Sequence, residues 1–267
     1  MKTQKLYFLT YGTKNFDISA KHIIKLAEKS NFFEKCIYMK PNDIDYNFKK
    51  KYEPIFSSPR GAGFWIWKHK IIKDCLDSIG DGDIVVYSDS GSSFNYSAKK
   101  RFFQYIEMLN DSEYSNFRIE CEKKHIEKDW TTKQLFDYFN IDPNSTIGES
   151  TQLEATQMIF IKNKETFDYL NKFSRVIDYD MFLISDKYNN KDQLDSFKEN
   201  RHDQSIFSLL SKTIGCVSVE NETHFSDKLE EQYNYPFLSV RTYGHGIKDK
   251  LKFRFNHKKY DLPVFFE

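Results

Sequence analysis

The chain has 267 residues, enough for one α/β domain with a substantial core or for two small domains. It carries 40 basic and 39 acidic residues, so no overall electrostatic field attracts nucleic acid or a membrane surface. The amino-terminal apolar run is too short for a signal peptide, and no run approaches the roughly 20 apolar residues of a membrane helix.

The four cysteines are widely scattered, at Cys36, Cys75, Cys121 and Cys216. They form no CxxC pair and no Cys/His spacing typical of a zinc site. This distribution predicts reduced, buried thiols and a cytoplasmic protein.

The amino-terminal segment predicts a strand, a helix and a second strand. The strands are Leu6–Thr10, which ends at a Tyr-Gly-Thr loop, and Lys35–Met39. The helix between them should direct inward the apolar residues at helical spacing, namely Ile18, Ile23, Ile24, Leu26 and Ala27. A polar connection, Pro41–Ser58, follows. This order predicts βαβ units with parallel strands.

The stretch Pro59–Ser93 contains glycine turns, two tryptophans, a helix and a strand that ends in an acidic residue. It begins with a tight basic turn, Arg60-Gly61-Ala62-Gly63, because glycine tolerates backbone angles that a Cβ forbids. Apolar residues at three-to-four spacing predict a helix over Ile66–Ile79, which two glycines end. A β-branched run, Ile84–Tyr87, predicts a strand covered on both faces.

The remaining chain continues the alternation of helices and strands. Its predicted elements are a helix Ala98–Leu109, a half-exposed strand Phe117–Cys121, a helix Trp130–Phe139, a buried strand Gln157–Ile161, helices Phe167–Ile177 and Met181–Tyr188, a loop Asn189–Glu199, a helix Ser205–Ser211 and a strand Val217–Val219. No repeat or low-complexity linker divides the chain. We therefore expect one α/β domain over residues 1–267, with a mainly parallel central sheet flanked by helices.

Asp89 follows the central strand, in a turn of small residues that includes Ser90. Open α/β sheets bind ligands at the carboxyl ends of their strands, and a carboxylate there suits Mg²⁺ or Mn²⁺ bridging a diphosphate. The alternative is that Asp89 only caps the turn. Asp81 and Asp83 lie at the amino end of the same strand, where a structural role is expected.

The Arg60 turn offers a guanidinium and backbone N–H groups to phosphate oxygens, or it is an ordinary loop. It matches neither the GxGxxG dinucleotide pattern nor the Walker pattern, so neither a Rossmann dehydrogenase nor a P-loop NTPase is supported. Trp65 and Trp67 are two positions apart, so in an extended segment both side chains would point to one face. They would then stack on a sugar or base, or pack in the core.

Two polar clusters lie towards the carboxyl end. Asp203 and Gln204 start a predicted helix, where Asp203 acts as its cap or the pair contacts a reacting sugar. His245 and Lys248 provide a metal-binding imidazole and a cation for phosphate, or they are surface residues of a basic tail. The other histidines have no partner at a characteristic spacing.

Four blocks of sequence together resemble a known family. They are LYFLTYGT, RGAGFWIWKHKII, GDIVVYSDSGSS and RHDQSIFSLLSK. Their combination resembles bacterial glycosyltransferases of the nucleotide-sugar, A-type fold that decorate capsular polysaccharide or lipooligosaccharide. The pattern of that family is approximately RGxGxWxWKP, a strand ending in D-x-G, and R-x-DQS. His69 replaces the proline of the first motif.

The DQ pair and the HGIK tail are also similar to the D-Q and H-x-G-x-x-K elements of the retaining galactosyltransferase and glycogenin-like family. There the tail histidine binds Mn²⁺ and the lysine binds diphosphate, although the spacing differs here. In the D-x-G of this chain, Gly91 stands where a D-x-D motif has its second acid. Dependence on Mn²⁺ or Mg²⁺ therefore stays open.

The resemblance implies a single A-type glycosyltransferase domain, with a nucleotide-sugar-binding half at 1–120 and an acceptor-binding half at 121–267. Its reaction would move a sugar from a nucleotide-diphosphate sugar to a growing surface polysaccharide or lipooligosaccharide, in the cytoplasm or at the inner face of the membrane. The implied donor-binding residues are Thr10, Tyr11, Gly12, Thr13, Arg60, Gly63, Trp67, Lys68, Asp89, Ser90 and Lys248. The implied metal ligands are Asp89 and His245.

In such a reaction, Arg60 and Lys68 would neutralise charge on the leaving diphosphate. Catalysis would involve Asp203, Glu154 and Gln204. Either Glu154 or Asp203 would be the base for the acceptor hydroxyl, and inversion or retention is left open. Two alternatives from other classes are a non-catalytic carbohydrate- or nucleotide-binding module and a nucleotidyltransferase of sugar phosphates.

Overall fold

The computed structural model describes residues 3–224 and 231–239. A six-stranded sheet in the order β2-β1-β3-β6-β5-β7 forms its centre, and a two-stranded ribbon pairs β4 with β8. The strands are β1 (Leu6–Tyr11), β2 (Lys35–Met39), β3 (Ile84–Ser88), β4 (Ser93–Phe94), β5 (Asn116–Ile119), β6 (Gln157–Ile161), β7 (Val217–Val219) and β8 (Phe237–Leu238).

Five of the six central strands run in one direction. Strand β1 is parallel to β2 and β3, and β5 is parallel to β7. Only β6, antiparallel to both β3 and β5, runs the other way among the described strands. The predicted α/β class with a mainly parallel sheet is confirmed. Because β6 is reversed, its amino end lies at the same sheet edge as the carboxyl ends of the others.

Helices cover both faces of this sheet. They are α1 (Asp17–Ser30), α2 (Tyr46–Lys51), α3 (Glu53–Phe56), α4 (Gly61–Phe64), α5 (Trp67–Asp77), α6 (Lys99–Asn110), α7 (Glu127–Trp130), α8 (Lys133–Phe139), α9 (Lys164–Tyr179) and α10 (Asp203–Ile214). Alternate residues of β3 enter two separate cores: Val85 and Tyr87 pack with α5, α9 and α10, whereas Ile84 and Val86 pack with α1 and α6. This two-sided burial explains the continuous apolar run of β3.

Several sequence predictions differ from the structure. Ile18 is exposed on α1, because the buried face of that helix is formed around Ile23 and Leu26 instead. Strand β5 is fully buried, not half-exposed, because Arg118 lies in the core and donates to the Glu154 carbonyl at 2.7 Å. In a sequence, a buried arginine with a carbonyl partner gives the same alternation of polar and apolar residues as an exposed arginine.

Other differences concern the ends of helices. The predicted helix Trp130–Phe139 is divided into α7 and α8, because Thr132 caps a new helix by accepting from the Leu135 N–H. The predicted helix Met181–Tyr188 contains only a short 3₁₀ helix, Met181–Ile184. The polar connection before Pro59 contains α2 and α3, and the ribbon of β4 and β8 was not predicted.

The segment from Gly61 to Trp65 is a left-handed helical turn. All five residues have positive φ, from 50° at Phe64 to 99° at Gly63. Two i to i+4 hydrogen bonds close the turn, from the Phe64 N–H to the Arg60 carbonyl and from the Trp65 N–H to the Gly61 carbonyl. The segment is therefore not extended, and the prediction that Trp65 and Trp67 share a face by alternation is wrong.

Candidate functional site

The site is centred on Lys68, a fully buried lysine in the first turn of α5. Its Nζ lies 2.7 Å from Asp203 Oδ2 and 3.2 Å from Asp89 Oδ1, and it donates to the Ala155 carbonyl at 3.0 Å. The two carboxylate contacts are ion pairs, and the contact with the Ala155 carbonyl is a hydrogen bond. Lys68 therefore holds two carboxylates together and does not face a ligand directly.

The fold brings these residues to one edge of the sheet. Asp89 follows the carboxyl end of β3, and its N–H donates to the Thr156 carbonyl, just before the reversed strand β6. Asp203 is the first residue of α10. This is the ligand-binding edge of open α/β sheets, where the sequence predicted Asp89 to lie.

The electrostatics of the three groups are coupled. Burial raises the pKa of Asp203 to about 6, with Lys68 opposing the rise and Asp89 adding to it. Burial by itself would lower the pKa of Lys68, but Asp203 and Asp89 raise it above its ordinary value. With both carboxylates ionised, the group of one ammonium and two carboxylates carries a net charge of −1.

Tyr87 orients Asp89, a role that the sequence analysis did not assign. Its hydroxyl donates to Asp89 Oδ1, the same oxygen that Lys68 contacts. Burial raises the pKa of Tyr87 well above its usual value, so it stays a donor. Asp89 Oδ2 has no partner among the described residues, and the Asp89 side chain is 29% exposed. Side chains two residues apart along a strand point to the same face, so the sequence could have predicted that Tyr87 lies beside Asp89.

Asp89 does not cap the turn that follows it through its side chain. That turn is closed by the Asp89 carbonyl, which accepts from the Ser92 N–H at 3.0 Å. Ser90 in the same turn is buried. At the amino end of β3, Asp83 accepts from the N–H groups of Lys5 and Gly80, which is the structural role predicted for it.

A divalent ion fits this site as a group shared between Asp89 and a phosphate ligand. Within residues 3–224 and 231–239, no three His, Cys, Asp or Glu side chains form a metal-binding group. Mg²⁺ typically needs one or two protein carboxylates plus substrate phosphates, and the outward oxygen of Asp89 supplies one. The other predicted ligand, His245, and the predicted diphosphate-binding Lys248 lie outside the described residues.

Arg60 and the backbone of its turn are already engaged. The guanidinium lies 3.1 Å from Asp186 Oδ2 and 3.3 Å from Glu199 Oε2, and the side chain is 41% exposed. The N–H groups of residues 62 to 66, including that of Gly63, donate to carbonyls of the chain. The sequence suggested that these amides cradle phosphate, but in the structure they close the left-handed turn.

The turn instead supports the start of α10. The rings of Phe64 and Trp65 lie 5.1 and 5.4 Å from the His202 ring, and His202 Nε2 is 3.0 Å from Asp186 Oδ1. Burial lowers the pKa of His202 to about 4, although Asp186 opposes this. His202, at φ 59°, occupies the cap position that the sequence assigned to Asp203. The turn thereby holds His202 in place, and with it the adjacent Asp203.

The predicted nucleotide-binding residues of the first loop point largely inward. The buried Thr10 hydroxyl donates to the Ser88 carbonyl at 2.7 Å. Tyr11 stacks on Trp67 at 3.8 Å, and the Trp67 indole N–H donates to the Gly61 carbonyl. Trp67 is thus a core residue, the second of the two readings that the sequence allowed.

Gly12 and Thr13 lie at the end of this loop. Gly12 is buried, and a Cβ there would lie 3.0 Å from Ala20 Cβ and 3.2 Å from the Tyr38 ring. Thr13 is half-buried and precedes a 3₁₀ helix. The close packing explains the need for glycine at position 12.

Gln204 lies beside Asp203 with a defined set of partners. Its Nε2 donates to Gln152 Oε1 at 2.7 Å and contacts Cys121 Sγ at 3.6 Å. Its Oε1 accepts from the Ala155 N–H at 3.4 Å. Both N–H groups of the amide are used, so its remaining capacity is one lone pair on Oε1.

Glu154 is buried just before β6. Its Oε1 accepts from the Thr223 hydroxyl at 2.7 Å and lies 3.0 Å from His224 Nδ1. Its Oε2 has no hydrogen-bond partner within the part of the chain that the structure describes. The sequence analysis found no partner for His224, because residues so distant in sequence give no spacing signal.

Comparison with known proteins identifies the fold. No protein-family model and no curated protein matches the sequence. Among solved structures, a glycosyltransferase involved in the glycosylation of the major capsid of PBCV-1 has a TM-score of 0.52 at 11% identity, over 88% of this chain and 92% of that one. The fold is that of the A-type glycosyltransferases.

Two further matches have lower scores. Mouse xyloside xylosyltransferase 1 matches with a TM-score of 0.46 at 10% identity, over 89% of this chain and 98% of that one. Galactosyltransferase LgtC in complex with donor and acceptor sugar analogs has a TM-score of 0.45 at 11% identity, with 97% and 96% coverage. Of these three matches, the capsid glycosyltransferase has the highest TM-score, and it shows the fold of this chain.

Proposed function

We propose that this A-type chain is a glycosyltransferase that moves a sugar from a nucleotide-diphosphate sugar to an oligosaccharide or polysaccharide acceptor. One observation carries the proposal: buried Lys68 joins Asp89 and Asp203 at the ligand-binding edge of the sheet. Separation of a sugar from a diphosphate is favoured by positive charge at the diphosphate, which a carboxylate can provide by holding a divalent ion, and by negative charge near the anomeric carbon. Asp89 and Asp203 supply one carboxylate for each role, one partly exposed and one buried.

Asp89 is assigned to the diphosphate side. Tyr87 and Lys68 hold one of its oxygens, and the other has no partner among the described residues, on a side chain that is 29% exposed. A bound Mn²⁺ or Mg²⁺ would supply positive charge to the diphosphate as its negative charge develops. Since the group around Lys68 is already net negative, we assign that neutralisation to the ion. His245 would be a second metal ligand, and Arg60 and Lys248 would be further donor-binding residues.

Asp203 and Gln204 are assigned to the sugar side. The anionic form of Asp203 would stabilise the positive charge that develops at the anomeric carbon in an oxocarbenium-like transition state. The free lone pair of Gln204 Oε1 would accept a hydrogen bond from a sugar hydroxyl. Thr13 and Ser90 would contribute to the remaining donor surface, whereas Gly12 and Gly63, whose N–H groups already donate to carbonyls of the chain, would only shape the backbone beside it.

Glu154 and Asp203 are the two carboxylates proposed for the acceptor base. Asp203 is bound to Lys68 on the donor side, whereas Glu154 Oε1 is held by Thr223 and His224. This separation favours Glu154 on the acceptor side. The configuration of the product decides the matter, because inversion requires such a base and retention does not.

The acceptor class is proposed from the motif resemblance. A growing capsular polysaccharide or lipooligosaccharide would be glycosylated at the inner face of the cytoplasmic membrane. No helix in residues 3–224 or 231–239 is long and apolar enough to cross a membrane. We propose that any association with the membrane occurs through the acceptor.

The test measures nucleoside diphosphate release from a panel of nucleotide sugars, with Mn²⁺ or Mg²⁺ present. We expect slow release by the wild type, and a loss of about 100-fold or more in Asp89→Asn and Asp203→Asn, the scale of removing one electrostatic stabiliser. Asp81→Asn is the matched control, because Asp81 is 94% exposed at the opposite end of β3.

Each alternative function gives its own result. Binding of a nucleotide sugar without release, for every donor and acceptor, would support a non-catalytic module. Release of pyrophosphate from a nucleoside triphosphate and a sugar phosphate would support a nucleotidyltransferase. Wild-type turnover in both Asp89→Asn and Asp203→Asn would contradict the site assignment.

A further inference from the structure

A buried carboxylate behind the site is connected to Gln204 by hydrogen bonds. Glu127, on α7, is fully buried. Its Oε1 accepts from the Thr131 hydroxyl at 2.6 Å and from Gln152 Nε2 at 3.0 Å. Its Oε2 accepts from the Ser208 hydroxyl and from Lys212 Nζ, the latter at 2.8 Å. Glu127 thus has four donors and touches none of the residues assigned to the sugar.

The connection fixes the direction of two amides in succession. An ionised carboxylate only accepts, so the nitrogen of Gln152 must face Glu127 and its oxygen must face Gln204. Gln204 must then donate with Nε2, which leaves its Oε1 towards the Ala155 N–H. Amide orientation is decided by such networks, since the two ends of an amide have the same shape.

A second contact supports the same direction of Gln152. Gln152 Nε2 lies 3.3 Å from Ser205 Oγ, and the Ser205 hydroxyl donates to the Trp130 carbonyl at 2.8 Å. Because that hydrogen is used, Ser205 Oγ acts as an acceptor towards Gln152. All neighbours of Gln152 on this side therefore require its nitrogen.

We propose that Glu127 is a positioning residue, which acts through Gln152 to keep the Gln204 oxygen directed at the sugar. This inference deepens the proposed function and rests on it. Glu127, Gln152 and Gln204 form a relay in which one buried charge sets the donor and acceptor pattern of the site. A glutamine at position 127 would not keep the Gln204 oxygen directed at the sugar.

The charge of Lys212 explains why. Lys212 only donates, so the amide oxygen of Glu127→Gln would face Lys212 and its nitrogen would face Gln152. Gln152 would then turn over and present its nitrogen to Gln204. Gln204 would have to accept there, and its own nitrogen would meet the Ala155 N–H. The relay would be reversed without any change in side-chain size.

This reversal can be tested by a double-mutant cycle, because it predicts the sign of the coupling between positions 127 and 204. In Gln204→Glu, the new carboxylate faces the Gln152 oxygen, so two acceptors meet. In the double variant Glu127→Gln/Gln204→Glu, the reversed Gln152 donates to Glu at position 204, and the Ala155 N–H donates there as well. The hydrogen bonds that link positions 127, 152 and 204 are then restored in the opposite direction, whereas the bond from Gln152 to Ser205 Oγ is lost.

We expect Gln204→Glu to raise the unfolding equilibrium constant by about tenfold, the effect of a buried polar group left without a partner. Glu127→Gln should raise it by more, because it also removes the carboxylate that pairs with the largely buried Lys212. The double variant should be more stable than the sum of the single effects, by a factor of about ten in that constant. Urea unfolding measures this without any substrate. Glu149→Gln, at a side chain 50% exposed, is the control and should leave the constant unchanged.

The positioning role is tested by donor turnover of Glu127→Gln at a temperature where it is folded. We expect kcat to fall about tenfold with the KM for the donor nearly unchanged, because only the sugar-facing oxygen is misdirected. Additive effects in the unfolding cycle would overturn the relay. Coupling with an unchanged kcat would overturn the positioning role. If the wild type turns over no donor, the proposed function fails, while the cycle still decides the relay.

Discussion

Lys68 owes its role to its burial among two carboxylates and a carbonyl. A buried ion pair contributes little net stability relative to an apolar replacement of the whole group, but loss of one partner leaves uncompensated charge. Here two carboxylates depend on one ammonium. Removal of Lys68 should therefore be more damaging than removal of either acid.

We expect Lys68→Met to lower the free energy of unfolding by about 3–5 kcal/mol at pH 7.5, as for other broken buried ion pairs. Donor turnover should be lost with it. Lys70→Met on the same helix removes only a partly exposed i,i+4 pair with Asp74 and should cost at most about 0.5 kcal/mol. Urea denaturation measures both. Equal effects would show that the Lys68 contacts are energetically unimportant.

The pKa of Asp203 predicts a pH profile. Donor turnover needs the anion, so it should fall as the pH drops through about 6. Asp89 raises this pKa, so Asp89→Asn should move the acid limb of its residual activity to lower pH. A stopped assay of nucleoside diphosphate between pH 4.5 and 8 measures the shift. Movement to higher pH would contradict the coupling.

The same group makes stability depend on pH. Folding raises the pKa of Asp203 from 3.8 to about 6, so the folded state binds the proton more tightly. Its contribution to the free energy of unfolding is complete below pH 4 and is lost as the pH rises through about 6.

Among the elements, the strands and the central helix were predicted well from local patterns. The predictions Lys35–Met39, Gln157–Ile161 and Val217–Val219 coincide with β2, β6 and β7. Apolar periodicity predicted these strands, because it depends only on residues that are close together in the sequence. The failures occur where a polar side chain is buried with a distant partner, as for Arg118 in β5, since burial there depends on contacts remote in sequence.

The left-handed turn before α5 was predicted as a tight turn, but its handedness was not. Two glycines pointed to unusual backbone angles, whereas Ala62, Phe64 and Trp65 adopt them without being glycine. Each such residue costs about 1–2 kcal/mol. The contacts of Phe64 and Trp65 with His202 offset part of this cost.

Substitutions in the turn should separate backbone strain from steric contact. Ala62→Gly should stabilise the protein by about 0.5–1 kcal/mol, because relief of the positive φ exceeds the added entropy of the unfolded chain. Gly61→Ala should cost more than about 2 kcal/mol, since its Cβ would lie 2.4 Å from the Trp65 ring.

Gly82→Ala is the matched control for these variants. Gly82 has φ +79°, and a Cβ there meets no atom within 4 Å, so only the strain of about 1 kcal/mol is expected. Urea unfolding gives all three values. An equal cost for Gly61→Ala and Gly82→Ala would mean that the Trp65 contact does not matter.

At the scale of the whole molecule, the antiparallel direction of β6 brings the residues of the site to one edge of the sheet. It brings the residues before β6 to the edge where β3 ends, so the Thr156 carbonyl accepts from the Asp89 N–H and the Ala155 carbonyl accepts from Lys68. Helix α5 contributes Lys68 to the same edge, and α10 contributes Asp203 and Gln204.

We expect a nucleoside diphosphate with Mn²⁺ to raise the Tm of the wild type by about 5–10 °C at 100 times its Kd, which corresponds to about 2.7 kcal/mol. The metal-dependent part of this shift should disappear in Asp89→Asn and persist in Asp81→Asn. Thermal unfolding with and without a chelator measures it. The same shift in both variants would contradict a metal shared between Asp89 and the diphosphate.

The sequence by itself determined the α/β class, the strand that carries Asp89, and the residue types of the site. These follow from apolar periodicity and from motifs, which are properties of neighbouring residues. Only the tertiary structure decided that Lys68 binds Asp89 and Asp203, that Trp67 belongs to the core, and that Glu127 is connected to Gln204. Such contacts join residues far apart in the chain, and whether a polar side chain is buried and paired depends on how the sheet and helices pack around it.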